Sequence, residues 1–173
     1  DPALGMVFGD ALTIDTAGRP LGRLPFGNWG LEQFLRFRII CQPAVFMRRS
    51  VLKKTGWLDP AYHMMLDHHL WLRMARLAPV KYIGSTDPNT FIPLAAARHH
   101  PTAKNVAQPA RFAEETLRLL AWMQTQPDLA ELVARSPSKV RGGAQRLAAR
   151  YYLDGGQPLQ APRSEQQRLR KPQ

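Results

Sequence analysis

A single cysteine, Cys41, excludes an internal disulfide and any thiolate-based metal site. Such sparing use of thiols fits a reducing compartment. No apolar run approaches the ~20 residues needed to span a bilayer, so no transmembrane helix is expected. The first residues, Asp1-Pro2-Ala3-Leu4-Gly5, show neither an initiator Met nor a charged segment followed by an apolar one. No secretory signal is read there, and the chain is expected to begin in mid-protein. Phosphate-binding glycine motifs are missing as well. Gly142-Gly143 and Gly155-Gly156 are lone pairs, and there is no Walker pattern, Rossmann fingerprint or Gly-x-Ser-x-Gly elbow. The zinc spacings H-E-x-x-H and paired Cys/His are also absent.

Acidic residues are scarce: 13 Asp and Glu stand against 24 Lys and Arg, a net charge of +11. The excess is uneven. Residues 135–173 carry nine Lys/Arg and only Asp154 and Glu165 as acids, a net of +7, which leaves +4 for the rest. A basic C-terminal end suits anionic lipid headgroups, RNA or plain solubility. Its last residues lack the aromatic interleaving that stacks bases, so nucleic acid is the weaker choice. What is present is ample apolar material: 45% hydrophobic residues in 173 is enough for a domain with a real core. Cys41, inside an apolar run, reads as a small buried side chain rather than a nucleophile.

The most informative stretch is Met64-Met65-Leu66-Asp67-His68-His69-Leu70-Trp71-Leu72-Arg73. Leu70, Trp71 and Met74 follow Asp67 at i+3, i+4 and i+7, so they share its face of an α-helix. A carboxylate on an apolar face is costly unless it is hydrogen-bonded, paired or used in chemistry. Asp67 is therefore either a helix cap, accepting a free backbone N–H, or a working acid/base.

Elsewhere, 6–9 and 12–15 read as short strands, 16–20 as a turn and 25–30 as loop. A helix is expected over 31–40, an extended run over 42–47, and a helix over 48–55 closed by Gly56. Further strands are expected at 80–84 and 90–97 around an Asp87-Pro88-Asn89 turn, then a polar loop from Arg98 to Pro109. Phe112, Thr116, Leu119, Leu120 and Met123 define an amphipathic helix, and a short helix follows Pro127. A last helix, about 138–153, carries the stripe Val140, Ala144, Leu147, Ala148 and Tyr151, with Lys139, Arg146 and Arg150 near one side. The expected division is 1–108 as an α/β layered portion, 109–156 as a helical extension and 157–173 as a disordered basic tail.

Two further groups are candidates for chemistry. Arg98, His100 and Lys104 lie in a loop just after a strand, where ligands of α/β sheets bind. Arg and Lys there suit phosphate, and His100 suits a metal or a phosphate oxygen. The alternative is a solvated basic loop. Gln42 and Pro43, with Arg48 and Arg49, bracket an extended run; the alternative is ordinary turn chemistry.

Read together, these segments resemble the second half of a family 2 glycosyltransferase of the GT-A fold. Met6-Val7-Phe8-Gly9-Asp10-Ala11 with Ile14-Asp15 and Gly18 is similar to the family's "vvyGDa…iD..G" strand pair. The segment from Gln42 to Leu52, followed by Gly56-Trp57-Leu58-Asp59, resembles "QPavFfRrsvl…GgfDe". Asp67-His68-His69-Leu70-Trp71-Leu72-Arg73 is similar to "DydLWlR", and Arg98 to Asn105 to "R.H..SKT". Glu114 or Glu115 falls where a family glutamate opens the next helix. The four motifs occur in the family's order over residues 1–115. The carboxylate that often precedes the base is Leu66 here, and the serine and threonine of the last motif are Ala103 and Asn105.

The resemblance implies a partial GT-A (Rossmann-like) α/β domain followed by C-terminal helices. It implies transfer of a sugar, with inversion, from a nucleotide-diphosphate sugar to an acceptor hydroxyl, in polysaccharide or glycolipid and cell-envelope glycan synthesis. Asp67 matches the catalytic base. Arg98, His100 and Lys104 match the loop over the diphosphate, with His100 as a metal-side ligand. Gln42, Pro43, Arg48 and Trp71 match the acceptor side. A divalent metal, Mg2+ or Mn2+, is implied together with an Asp-x-Asp half that this chain lacks. The expected product is thus a fragment, inactive by itself, cytoplasmic or peripheral at the inner membrane face, with a glycan or lipid-linked acceptor. The basic final helix would rest on anionic lipid. Two rival readings are a non-catalytic basic binding module and a degenerate glycosyltransferase remnant.

Overall fold

The computed structural model describes residues 1–87 and 89–157. The protein is mixed α/β, with two small mixed sheets and several helices, divided into two compact units. The expected tail beyond Gln157 lies outside the described residues, as does Pro88 of the expected turn. Among the described residues no helix is long and apolar enough to cross a membrane.

The first unit comprises Asp1–Phe34, Arg38–Ala61 and Leu66–Pro101. Its strands are β1 (Met6–Phe8), β2 (Ala11–Ile14), β3 (Pro20–Leu24), β4 (Val45–Met47), β5 (Val80–Tyr82) and β6 (Ala95–Arg98). One sheet runs β4-β1-β5, with β4 antiparallel and β5 parallel to β1. The other runs β3-β2-β6, with β3 antiparallel and β6 parallel to β2. The α/β class read from the sequence is therefore present, as two mixed three-stranded sheets. No single parallel Rossmann sheet forms among the described residues. Gly9-Asp10 links the sheets, and the backbone stays paired there: Gly9 N–H donates to Ala44 O, and Leu94 N–H to Asp10 O.

Several elements depart from expectation for local reasons. β3 was not expected, because Arg19-Pro20 reads as a turn; Pro20 is tolerated since it opens an edge strand. The helix expected over 31–40 stops after one turn as α1 (Leu31–Leu35). Phe37 takes φ 58° and Arg38 N–H returns to Gln33 O, which ends the helix while burying the Phe37 ring. Gln42–Ala44 forms a 3-10 turn ahead of β4 rather than extending it. α2 (Arg49–Thr55) ends as expected at Gly56, whose φ of 84° suits glycine. α3 (Leu66–Leu77) buries Leu70, Trp71, Leu72 and Met74, as its spacing predicts, and it stops short of Pro79.

The second unit comprises Leu35–Phe37, Tyr62–Met65 and the chain from Thr102. Its helices are α4 (Lys104–Ala107), α5 (Pro109–Thr125), α6 (Pro127–Ala134) and α7 (Pro137–Asp154). Each of the last three begins on a proline, whose missing N–H costs nothing in a first turn. Ala113, Ala148, Ala149 and Tyr152 form their buried cluster, and Phe112 stacks on Tyr151 at 4.6 Å. The buried face of α7 is thus Val140, Gly143, Ala144, Ala148, Ala149 and Tyr152, rotated slightly from the stripe expected through Leu147 and Tyr151. Gly143 marks the reason: a Cβ there would fall on the Arg36 carbonyl.

Candidate active site

Asp67 is the second residue of α3 and accepts the His68 N–H on Oδ1 at 2.7 Å. It sits in the first turn, where free N–H groups favour a carboxylate, but not in the N-cap position itself. Burial pushes its pKa up to about 6, against the pull of the His68 amide. Among the described residues no cation pairs with it.

The carboxylate lines a cavity of about 520 Å³, the size range of small-molecule sites. Gln42 and Trp71 line the same cavity, so three of the sequence-predicted residues meet there. Trp71 is 1% exposed and is wedged by Phe34 and His68, whose rings lie 6.4 and 6.1 Å from it. His68 is fully buried. Its Nε2 sits 2.9 Å from Phe34 O, so Nε2 carries the proton and donates. Burial pushes the His68 pKa down to about 4, so the ring is neutral and serves as a strut.

Trp57 and Leu58 also line the cavity, and the sequence reading did not single them out. Their support comes from Arg73, whose guanidinium donates to Thr55 O at 3.1 Å and to Trp57 O at 2.6 Å. The arginine that closes the Asp-to-Arg motif therefore pins the loop on which Trp57 stands. Burial pushes the Cys41 thiol up, and the nearby Asp67 charge adds to this, so Cys41 is not an activated thiol.

The other predicted residues lie elsewhere. Pro43 follows Gln42 in the 3-10 turn and does not line the cavity. Arg48 donates from Nε to Leu4 O at 2.5 Å and from Nη2 to Asp1 O at 2.8 Å, which ties down the N-terminal segment. Arg98 closes β6 and donates to Asp15 O and Thr16 O, both at 2.8 Å, bracing the β2–β3 turn. His100 follows two residues on and is half-buried. Lys104 opens α4 in the second unit and is exposed. Among the described residues no group of three His, Cys, Asp or Glu could hold a metal ion. His100 alone does not make the metal site that the resemblance implies.

Two buried carboxylates anchor other parts of the fold. Asp10, 3% exposed, accepts the Phe26 N–H and the Tyr82 hydroxyl on Oδ1, both at 2.8 Å. It lines a second cavity, of about 490 Å³, with Arg23, Asn28, Ser85 and Thr90. Burial, and then Asp10, push the Tyr82 pKa up to about 12. In the second unit Glu115 accepts the N–H groups of His63, Met64 and Met65, the shortest at 2.7 Å. Burial alone would raise its pKa, but these three amides and Arg118 outweigh it and hold the carboxyl below the usual value. Of the two glutamates at this point in the sequence, Glu115 is the buried one and Glu114 is exposed. No protein-family model matches the chain, and no curated protein matches it.

Proposed function

We propose that this chain is the acceptor side of an inverting glycosyltransferase of family 2, with the GT-A type of fold, and that Asp67 is its base. The reading rests on one observation: an ionisable carboxylate, raised towards neutrality and with no cation paired to it among the described residues, opens into a cavity walled by Trp71 and Gln42. In the reaction the acceptor hydroxyl gives its proton to Asp67 as its oxygen attacks the anomeric carbon of the donor sugar. The sugar–phosphate bond breaks on the opposite side, and the nucleoside diphosphate leaves with the bonding electrons. A base with a pKa near 6 is mostly ionised at pH 7 and is still a fair proton acceptor, which suits it to this step.

Charge on the departing diphosphate needs cationic neutralisation. Arg98 and His100 of the first unit are the residues this reading assigns to that end, with the divalent metal supplied together with an Asp-x-Asp element not in this chain. The exposed Lys139, Arg146 and Arg150 of α7 would rest on anionic lipid at the cytoplasmic face, where lipid-linked acceptors are built.

The test uses the complete gene product that contains this chain. Nucleoside diphosphate release is measured over a set of nucleotide sugars with saccharide and long-chain alcohol acceptors. Asp67→Asn is expected to lower kcat by about 10²- to 10⁴-fold, the usual worth of a positioned base, with little change in donor KM. Full activity in Asp67→Asn, or no release with any donor, overturns the assignment. A steep salt dependence of RNA binding that ignores Asp67 would instead favour a basic binding module.

A further inference from the structure

We infer that the acceptor group seated in the Asp67 cavity is a hydroxyl on an apolar body, of the isoprenoid or long-chain alcohol class, and not a free saccharide. The inference rests on the glycosyltransferase reading and narrows its acceptor. Apart from Asp67 and Gln42, every side chain lining the cavity is Leu, Met or Trp. A pyranose brings several hydroxyls, and each must find a partner when it leaves water. Each one left unpaired weakens binding by about tenfold. Asp67, Gln42 and the indole N–H groups can meet some of these hydroxyls, but the five leucine and methionine side chains that complete the wall offer the others no partner.

The mouth points the same way. Trp57 is 65% exposed and Leu58 49% exposed, so the apolar lining runs out onto the surface instead of ending in a polar rim. A chain longer than the cavity would cover this strip as it leaves. The Asp10 cavity gives the contrast within the same unit. It is of similar size, and beside its aromatic wall of Phe26, Tyr82 and Phe91 it offers several polar side chains, Arg23, Asn28 and Ser85 among them, against two in the Asp67 cavity. The position of Asp67 then acquires a meaning: it is the polar end of an apolar pocket, placed to take the proton of the only hydroxyl such a ligand carries.

Trp57 and Trp71 make the cavity its own reporter. The intact chain is titrated with farnesol, kept below its aggregation concentration, and in parallel with maltose, while tryptophan emission is followed. Farnesol is expected to give a saturable change and maltose none at a thousandfold higher concentration. Leu58→Asp is expected to weaken farnesol binding by about tenfold with an unchanged circular dichroism spectrum, since Leu58 is half exposed. If that variant does not fold, Met47→Asp at the same cavity replaces it. Saturable maltose binding tighter than farnesol, or farnesol affinity unaffected by the variants, overturns the inference. Farnesol binding by the chain without nucleoside diphosphate release from the complete gene product would sink the transferase reading alone. Transfer to maltose without farnesol binding would sink this inference alone.

Discussion

Replacing Asp67 by Asn should stabilise the protein at neutral pH. The carboxyl has an ordinary value of 3.8 and is raised to about 6 in the fold. Moving the carboxyl from 3.8 to about 6 corresponds to at most about 3 kcal/mol between the protonation states, because Asp67 is half-buried and solvent screens part of it. The sign follows from proton counting. At pH 3 and below both folded and unfolded chains hold the proton, and Asp67 costs nothing. Between 4 and 6 the folded state binds the proton more tightly than the unfolded state, so stability falls as pH rises. Above 6 the full penalty is present. Asn keeps an acceptor for the His68 N–H and carries no charge at any pH.

The expected result is a melting temperature raised by several degrees at pH 7.5, up to about 10 °C, with no difference at pH 3. Paired thermal melts of wild type and Asp67→Asn at those two pH values measure it. A carboxylate kept only for its helix-end charge predicts the opposite sign at pH 7.5, a loss of about 0.5–1 kcal/mol. Destabilisation at neutral pH, or an equal shift at both pH values, would refute the account of Asp67 as a strained ionisable group. The measurement needs no substrate, so it tests the physical premise of the function separately from the function.

Glu115→Ala should destabilise by about 3 kcal/mol or more in chemical denaturation, because it strands the amides of His63, Met64 and Met65 that the carboxylate now satisfies. Since the Glu115 pKa is depressed below 4.5, its contribution is present above that pH and is lost as pH falls through the folded value. Gly143→Ala should lose about 1–3 kcal/mol despite the better helix propensity of Ala, because its Cβ meets the main-chain carbonyl of Arg36; Gly142→Ala, which meets only the far end of Arg146, should be neutral or stabilising. The His68 imidazole should stay neutral, with the proton on Nε2, from pH 8 to about 5, which nitrogen chemical shifts report directly; titration near 6.5 would contradict its burial. Wild-type chain should sediment with vesicles rich in anionic lipid and not with neutral ones; equal sedimentation would remove the membrane role given to α7.

The two periodic helices that carry most of the argument were legible because burial follows their spacing. Leu70, Trp71 and Met74 lie inward as i+3, i+4 and i+7 require, and so do Thr116, Leu119 and Met123. Short elements were less so. β3 holds a proline and a glycine in five residues and gains its identity only from pairing with β2. α1 ends at Phe37, a non-glycine residue with positive φ that no local signal announces. In the site, Asp67, Gln42 and Trp71 could be found from the sequence, whereas Trp57 could not. Its position depends on a bond from Arg73 on another element, and nothing in Gly56-Trp57-Leu58 foretells that contact. Arg48 and Arg98 look like ligand clamps in a sequence, and the fold adds what spacing does not show: their guanidinium groups also donate to backbone carbonyls of this chain.

That difference separates two kinds of polar residue in this fold. Asp10, Glu115, Arg48 and Arg73 each close a hydrogen-bonding deficit that the folded backbone or a neighbouring hydroxyl would otherwise carry, so the fold itself accounts for them. Glu115 illustrates the effect on charge: three amides and an arginine lower its pKa although it is buried. At Asp67 burial outweighs the amides of His68 and of Asp67 itself, and its pKa rises instead. Asn in its place would give the same hydrogen bond without the electrostatic cost. A residue that local structure, packing and electrostatics all fail to require is where functional demand is expected to show. Here that residue faces a cavity with room for a ligand and walls that offer almost no other polar group.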